Sequence, residues 1–158
     1  MQRNYNFLKP VADLNAEKGS SQLTSKDLDT VEKYADKLYK SLGVDIEFTR
    51  HFLDRVNDTR NVKQITVAEL IRLFKQSYKK YGKQIPKLGN DAQAVLNDIK
   101  TDINMPFVLK WDGKKFELIA KTIMRKKDFK TSNKKLSFEE NQPKRILRLA
   151  KSFKRKYD

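Results

Sequence analysis

His51 is the only histidine among the 158 residues, and imidazole is the side chain best suited to proton transfer near neutral pH. Arg55 follows four residues later, so both side chains share one face if this segment is a helix. An imidazole beside a guanidinium suits RNA cleavage without a metal. That reaction needs a base for the 2′-hydroxyl proton and a cation for the charge on the phosphorane. A structural or merely exposed histidine is the alternative interpretation.

Basic residues are concentrated in two segments. Residues 121–135 hold seven lysines and arginines against one acid, and residues 143–158 hold seven more against Asp158. Each phosphate that such residues contact releases counterions, so the two segments can supply most of a non-specific affinity for nucleic acid. Phe129 either stacks on an unpaired base or fills a small core. The residues predicted to bind nucleic acid are Lys126, Lys127, Phe129, Lys130, Lys144, Arg145, Arg148 and Lys151.

The net charge of the chain points to a polyanionic partner. There are 35 Lys+Arg against 20 Asp+Glu, which gives +15, far more than solubility requires. We expect nucleic acid, with RNA favoured over DNA, and an acidic protein partner is compatible with the same surface. No apolar run approaches the roughly 20 residues of a membrane span, and the N-terminus lacks a signal-peptide core. The expectation is therefore a cytoplasmic protein with no membrane partner. Binding to an anionic membrane through the C-terminal helix is a less favoured alternative, because many charges surround the narrow apolar stripe of that helix.

Missing residue types exclude several kinds of site. The absence of cysteine excludes disulfides and thiolate chemistry, and a single histidine excludes sites that need two imidazoles from one chain. The five isolated glycines form neither a phosphate loop nor a dinucleotide fingerprint. Asp112 and Glu117 could serve a metal-dependent nuclease, but Ile119 stands where its acid-x-Lys pattern needs lysine. We therefore expect no cofactor and no bound metal.

Hydrophobic periodicity predicts the helices that would position these residues. Thr66 and Glu69 form a capping-box pattern before a long apolar stripe, and Thr49 is placed to cap a shorter helix that turns Phe52 and Val56 inward. Residues 44–48 are predicted to be extended. The predicted helices span 25–42, about 49–58, 66–81 and about 91–100, and a basic helix begins at Pro143.

The pattern becomes strand-like after Pro106. Residues 107–111 and 116–125 flank Asp112-Gly113 and predict a hairpin. The second arm is nearly continuous in apolar residues, which predicts a central strand buried on both faces, and 136–138 is a candidate third strand. The organisation is thus a flexible arm over 1–24, one α+β domain over 25–138 and a basic C-terminal helix over 139–158.

Residues 44–55, followed by the helix at 66–81, resemble the RegB-type bacteriophage endoribonucleases, which share the fold of RelE/ParE-type toxins. In that family a short helix carries His-(apolar)-Leu-Asp-Arg, and its His and Arg belong to the active site; His51 and Arg55 match them. The resemblance covers 44–82 by motif and extends to 138 by order of elements. It implies two helices followed by a small antiparallel sheet. Residues 122–131 also resemble strand ends in uncharacterised phage proteins, which implies a viral origin.

The chain departs from that family at a second catalytic histidine, late in the second helix. Residues 73–76 correspond to it and contain no histidine, so Lys75 or a sheet residue substitutes, or activity is lost. RelE-type relatives use Lys, Arg and Tyr in place of a histidine pair. The resemblance therefore makes Lys121, Arg125 and Lys126 candidate substitutes.

Together these features predict a metal-independent endoribonuclease that binds RNA through a basic face. His51 would be the base or acid, Arg55 and Arg125 would stabilise the phosphorane, and Lys121 and Lys126 would position phosphates. The alternative is a non-catalytic nucleic-acid-binding phage protein, for genome handling or host takeover, in which His51 is structural.

Overall fold

A computed structural model describes residues 21–139, and they form a mixed sheet with two long helices packed against it. The predicted α+β class is confirmed, but the sheet is mixed and not purely antiparallel, because the first strand, at 44–48, and the last, at 134–138, each pair in parallel with a neighbour. The predicted C-terminal helix, including Lys144, Arg145, Arg148 and Lys151, lies outside the described residues. The elements are α1 Ser25–Tyr39, β1 Val44–Phe48, α2 Phe52–Val56, α3 Val67–Tyr81, β2 Gln93–Asp98, β3 Ile103–Trp111, β4 Phe116–Ala120, β5 Met124–Arg125 and β6 Lys134–Phe138.

Both long helices begin with a capping box. Thr24 and Asp27 form it in α1, and Thr66 and Glu69 form the predicted one in α3. The folded domain also includes residues assigned to the flexible arm. Leu23 is buried, and its backbone N–H and C=O both bond the Asn57 side chain at 2.9 Å. These contacts join the end of the predicted arm to the domain.

The sheet runs in the order β1-β4-β3-β2-β6. The central strands β2, β3 and β4 form an antiparallel meander, with β1 parallel to β4 and β6 parallel to β2 at the edges. The hairpin around Asp112-Gly113 is confirmed, and so is the strand at 136–138. Within residues 21–139, no helix combines the length and apolar composition that crossing a membrane requires.

The helix predicted over 91–100 is wrong, because this segment is strand β2. Its apolar positions fit a helical spacing, but residues 94–98 are all buried. Ala94, Leu96 and Asp98 lie in register with core residues of β3, while Val95 and Asn97 lie on the opposite face. A strand covered on both faces loses the alternation that would identify it.

Strand β4 is inside the sheet, but it is not buried on both faces as predicted. Leu118 and Ala120 are buried, whereas Glu117 and Ile119 are only half-buried. The strand also ends earlier than predicted, because a β-bulge interrupts it. Ala120 lies opposite Phe107 and Met124 lies opposite Asn104, so three residues, 121–123, face two of β3. Beyond this bulge the pairing resumes as β5.

A buried asparagine fixes the chain where it leaves β5. The side chain of Asn104 is fully buried, and its Nδ2 donates to the carbonyls of Asp102 at 3.1 Å, Met124 at 3.4 Å and Lys126 at 3.0 Å. Asn97 Nδ2 donates to Asn104 Oδ1 at 2.8 Å. This polar network holds the start of the loop 126–133 against the sheet.

Candidate functional site

A cleft of about 980 Å³ opens between the α2 region and the bulge after β4. We call it the His51 cleft; its wall comes from residues within 49–62 and 121–126. Of the residues within 21–139, five with cationic side chains line it, against the single carboxylate of Asp58. The structure thus brings together five residues singled out from the sequence, namely His51, Arg55, Lys121, Arg125 and Lys126.

Helix α2 presents the two residues of the His-Arg pair to this cleft. Phe52 and Val56 are fully buried and fix the helix to the core, as predicted. His51 is the N-cap residue, and its carbonyl accepts the Arg55 N–H at 3.1 Å. Thr49 does not cap α2 as predicted. Its hydroxyl donates instead to the Lys121 carbonyl at 2.9 Å, which joins the two walls of the cleft.

The imidazole of His51 is accessible to a ligand, since 70% of its side chain is exposed. The nearest acid is Asp54, whose Oδ2 lies 3.9 Å from Nδ1. The geometry is therefore compatible with His51 as a base.

Asp58 orients two arginines at the rim of the cleft. Its carboxylate accepts from Arg60 Nη2 at 2.7 Å and lies 3.7 Å from Arg55 Nη1. The hydrogen bonds from Arg60 lower the pKa of Asp58 to about 2, so it is anionic at neutral pH. The side chains of Arg60 and Arg55 are 77% and 48% exposed. Both guanidinium groups can therefore still bind a phosphate.

The side chain of Arg125 is engaged by other parts of the domain. Its two Nη atoms each donate one hydrogen bond to Glu69, at 2.8 and 3.0 Å. The other three N–H groups donate to the backbone carbonyls of Lys63, Gln64 and Thr101 at 2.9–3.2 Å. All five donors are occupied, and the side chain is only 12% exposed. The prediction that Arg125 stabilises a phosphorane is therefore not supported by its geometry.

Glu69 serves two structures at once, since it caps α3 and pairs with Arg125. Its Oε1 accepts the Thr66 N–H at 3.0 Å as well as Arg125 Nη2. Burial by itself would raise the pKa of Glu69, but the hydrogen bonds from Arg125 and from Thr66 outweigh it, and the pKa is lowered. The pair is thus ionised at neutral pH and links α3 to β5.

Lys121 and Lys126 remain available for a ligand. Both are exposed; Lys121 Nζ makes one hydrogen bond, to Gln93 Oε1 at 3.2 Å. The backbone N–H of Lys126 donates to the Asp102 carbonyl at 2.8 Å, which fixes the position of its Cα. Lys75, the other candidate substitute for the missing histidine, is exposed on α3 and does not line the cleft. Because Lys121 lines the cleft and Lys75 does not, the geometry favours Lys121 over Lys75 as the substitute for the missing histidine.

The remaining candidates of the first basic segment lie outside the cleft. Lys127 and Lys130 are exposed on the loop 126–133, and Phe129 is half-buried there. Lys135 Nζ donates to the Phe129 carbonyl at 2.7 Å, which ties this loop to β6. These residues can extend a basic surface beyond the cleft, but they do not form its wall.

The cleft residues within 58–62 were not predicted from the sequence. Asn61 is buried, and its Nδ2 donates to the Arg55 carbonyl at 2.8 Å while its Oδ1 accepts the Arg125 N–H at 2.9 Å. It therefore joins α2 to β5. The signals available were the Asx turn at Asp58, which accepts the Arg60 N–H at 2.8 Å, and the polar composition of the turn.

Neither metal ligation nor similarity to other proteins identifies the chemistry of the cleft. Among residues 21–139, no group of three or more His, Asp or Glu side chains is arranged to hold a metal ion. Comparison of the chain with protein-family models, curated proteins and solved structures found no match. The chemistry of the site must therefore be inferred from its own residues.

Proposed function

We propose that this protein binds single-stranded RNA in the His51 cleft and cleaves it by internal attack of the 2′-hydroxyl group. The observation that supports this most is the meeting of His51 and Arg55 with Lys121 in one cationic cleft, although Lys121 is distant in the sequence. The RegB-type resemblance supports the same function, and α2 and α3 do precede the antiparallel strands β2–β4. A cytoplasmic location, in the host cell for a phage-encoded chain, fits an RNA substrate.

The cleft residues can be assigned to the steps of this reaction. His51 Nε2 takes the proton from the 2′-hydroxyl group, and the 2′ oxygen attacks the adjacent phosphorus. Arg55 stabilises the negative charge that develops on the phosphorane. The bond from phosphorus to the 5′ oxygen then breaks, and that oxygen receives a proton from the Lys121 ammonium group. The products are a 2′,3′-cyclic phosphate and a 5′-hydroxyl end.

Binding of RNA without cleavage is the second candidate, and two observations favour it. Among the described residues, the only acid within 4 Å of the exposed imidazole is Asp54, at 3.9 Å, which is longer than a hydrogen bond. In addition, the guanidinium of Arg125 is fully occupied and is unable to assist the reaction. If the protein binds RNA without cleaving it, the phosphates are held by four cationic side chains, those of Arg55, Arg60, Lys121 and Lys126. His51 then makes only a minor contact with the RNA.

Incubation with a mixed single-stranded RNA in excess EDTA tests the proposal. The samples are the wild type, His51→Ala and, as a matched control for the preparation, Lys87→Ala, which alters an exposed lysine outside the cleft. We expect fragments with 2′,3′-cyclic phosphate ends from the wild type and the control. The rate for His51→Ala should be at least about 100-fold lower, as expected for loss of a general base, with RNA affinity nearly unchanged.

Two other outcomes would decide between the candidates. RNA that stays intact but still binds the wild type would overturn cleavage and leave the binding function. RNA that neither binds nor breaks would overturn both, and a search for another polyanionic partner would follow.

A further inference from the structure

Val62 has a backbone conformation that a β-branched residue rarely adopts. Its φ is +66° and its ψ is −55°, and the Lys63 N–H donates to the Asn61 carbonyl at 2.6 Å across it, which defines a γ-turn of the strained hand. The other non-glycine residues with positive φ among residues 21–139 are all aspartates, which tolerate this region better.

The turn is fixed by rigid contacts on both of its sides. Before Val62, the Asn61 side chain is buried and bonds to α2 and β5. After it, the carbonyls of Lys63 and Gln64 accept hydrogen bonds from the Arg125 guanidinium at 3.2 and 3.1 Å. Strained residues persist only where their surroundings determine their conformation in this way, and they cluster at functional sites.

Folding does not explain why this position holds valine. The side chain is 95% exposed, so it packs against almost nothing in the domain. Glycine or asparagine would fit the backbone at lower cost. The isopropyl group is nevertheless held in solvent at the wall of the His51 cleft, which also contains Arg60, and the exposed Lys63 follows it in the chain. An apolar group flanked by cations matches a nucleotide, whose base is an apolar face beside a phosphate.

We propose that Val62 contacts the face of a nucleobase and separates it from its neighbour while the adjacent phosphates bind the cations of the cleft. This inference rests on the proposed RNA function, and it makes Val62 a residue that selects unpaired strands. Arg125 and Asn61 are then positioning residues, because they hold the turn that displays the valine. A protein partner that buries the valine is the competing occupant, but the surrounding positive charge favours nucleic acid.

Binding of two probes to the full-length chain tests this inference. One probe is a single-stranded RNA of mixed sequence, and the other is a ribose-phosphate strand of the same length without bases. All proteins carry His51→Ala so that the RNA stays intact. The variants are Val62→Gly, which relieves the backbone, and Val62→Thr, which keeps the shape but adds a hydroxyl. Ile99→Thr, at an exposed apolar residue outside the cleft, is the matched control.

We expect both Val62 variants to bind the RNA about tenfold more weakly, the effect of losing one apolar contact with a base, and to bind the baseless strand as the parent does. The control should match the parent on both probes. Because glycine relieves the strained backbone, the melting temperature of Val62→Gly should equal or exceed that of the parent. This result would show that the variant is folded.

The other outcomes separate this inference from the proposed function. If both variants bind RNA as tightly as the parent, the role of Val62 is overturned while the RNA cleft stands, and a protein partner becomes the better occupant. An equal loss of affinity for the RNA and for the baseless strand would also overturn the role of Val62, because the turn would then affect phosphate binding alone. A parent that binds neither probe would overturn the proposed function and this inference together.

Discussion

Replacing Arg125 with methionine would show whether this side chain stabilises the domain or acts on the substrate. Methionine keeps an apolar chain but has no donors, so the Glu69 carboxylate loses its two guanidinium hydrogen bonds, at 2.8 and 3.0 Å. Three backbone carbonyls lose a donor as well. Glu69 keeps the hydrogen bond from the Thr66 N–H. We therefore expect a less stable domain in which α3 still begins at the same residue.

The magnitude follows from the burial of the pair. Breaking a fully buried ion pair costs about 3–5 kcal/mol, because one charge is left without a partner. The side chains of Arg125 and Glu69 are 12% and 16% exposed, so water screens part of this loss. We expect Arg125→Met to lower the free energy of unfolding by about 3 kcal/mol and the melting temperature by about 10 °C.

The pH dependence gives an independent check. The pKa of Glu69 is lowered in the folded protein, chiefly by hydrogen bonds that overcome the effect of burial. Its contribution to stability is therefore present above the unfolded pKa of about 4.3 and is lost as the pH falls through the folded value. The stability difference between wild type and Arg125→Met should be largest near pH 7 and should shrink below about pH 4.

Urea unfolding at 25 °C, followed by the fluorescence of Trp111, measures both effects. Trp111 is the only tryptophan, and it packs against Phe116 with ring centres 4.9 Å apart. Glu69→Gln is the matched variant, since glutamine still completes a capping box. The double-mutant cycle of Arg125→Met with Glu69→Gln should give a coupling energy of about 2 kcal/mol. A wild-type unfolding midpoint combined with lost RNA cleavage would refute this structural role and return Arg125 to the catalytic group.

Two further predictions concern the cleft wall and the loop behind it. Lys121→Ala should leave the melting temperature unchanged but reduce the slope of log affinity for RNA against log salt by about 1, since one phosphate contact is lost; an unaltered slope in a titration from low to moderate KCl would contradict this. Asn104→Ala should lower the free energy of unfolding by about 2 kcal/mol, because three carbonyls lose a buried donor. Urea unfolding measures it, and an unchanged midpoint would contradict it.

The elements that could be predicted from the sequence are those with strong local signals. The capping box at Thr66, the stop at Gly43 and the Asp112-Gly113 turn each act within a few residues, and all three lie where expected. Strand β2 could not be recognised, because residues 94–98 are all buried and the strands that pair with it, β3 and β6, come later in the chain. Burial on two faces removes the alternation that distinguishes a strand from a helix.

The same distinction applies to the site. His51 and Arg55 could be paired from the sequence because their relation depends only on a helical spacing of four. The role of Arg125 could not, since its partners Glu69 and Asn61 lie 56 and 64 residues away. The charge of Arg125 suggested that it binds a phosphate. Whether a guanidinium can bind a phosphate depends, however, on whether its N–H donors are already occupied. The exposure of Val62 likewise becomes visible only when the fold is known.

The bulge between β4 and β5 lets the cleft evolve separately from the core. Within the bulge, Ile123 is buried in the core, whereas Lys121 is exposed and Thr122 is half-buried. Deleting the codon for Thr122 would make the pairing with β3 continuous, with two residues facing two, while Met124 and Arg125 stay opposite Asn104 and Ile103. The ion pair with Glu69 would persist, but the cleft wall would be one residue shorter. A change in length at this point can therefore reshape what the cleft accepts without disturbing the packing that keeps the domain folded.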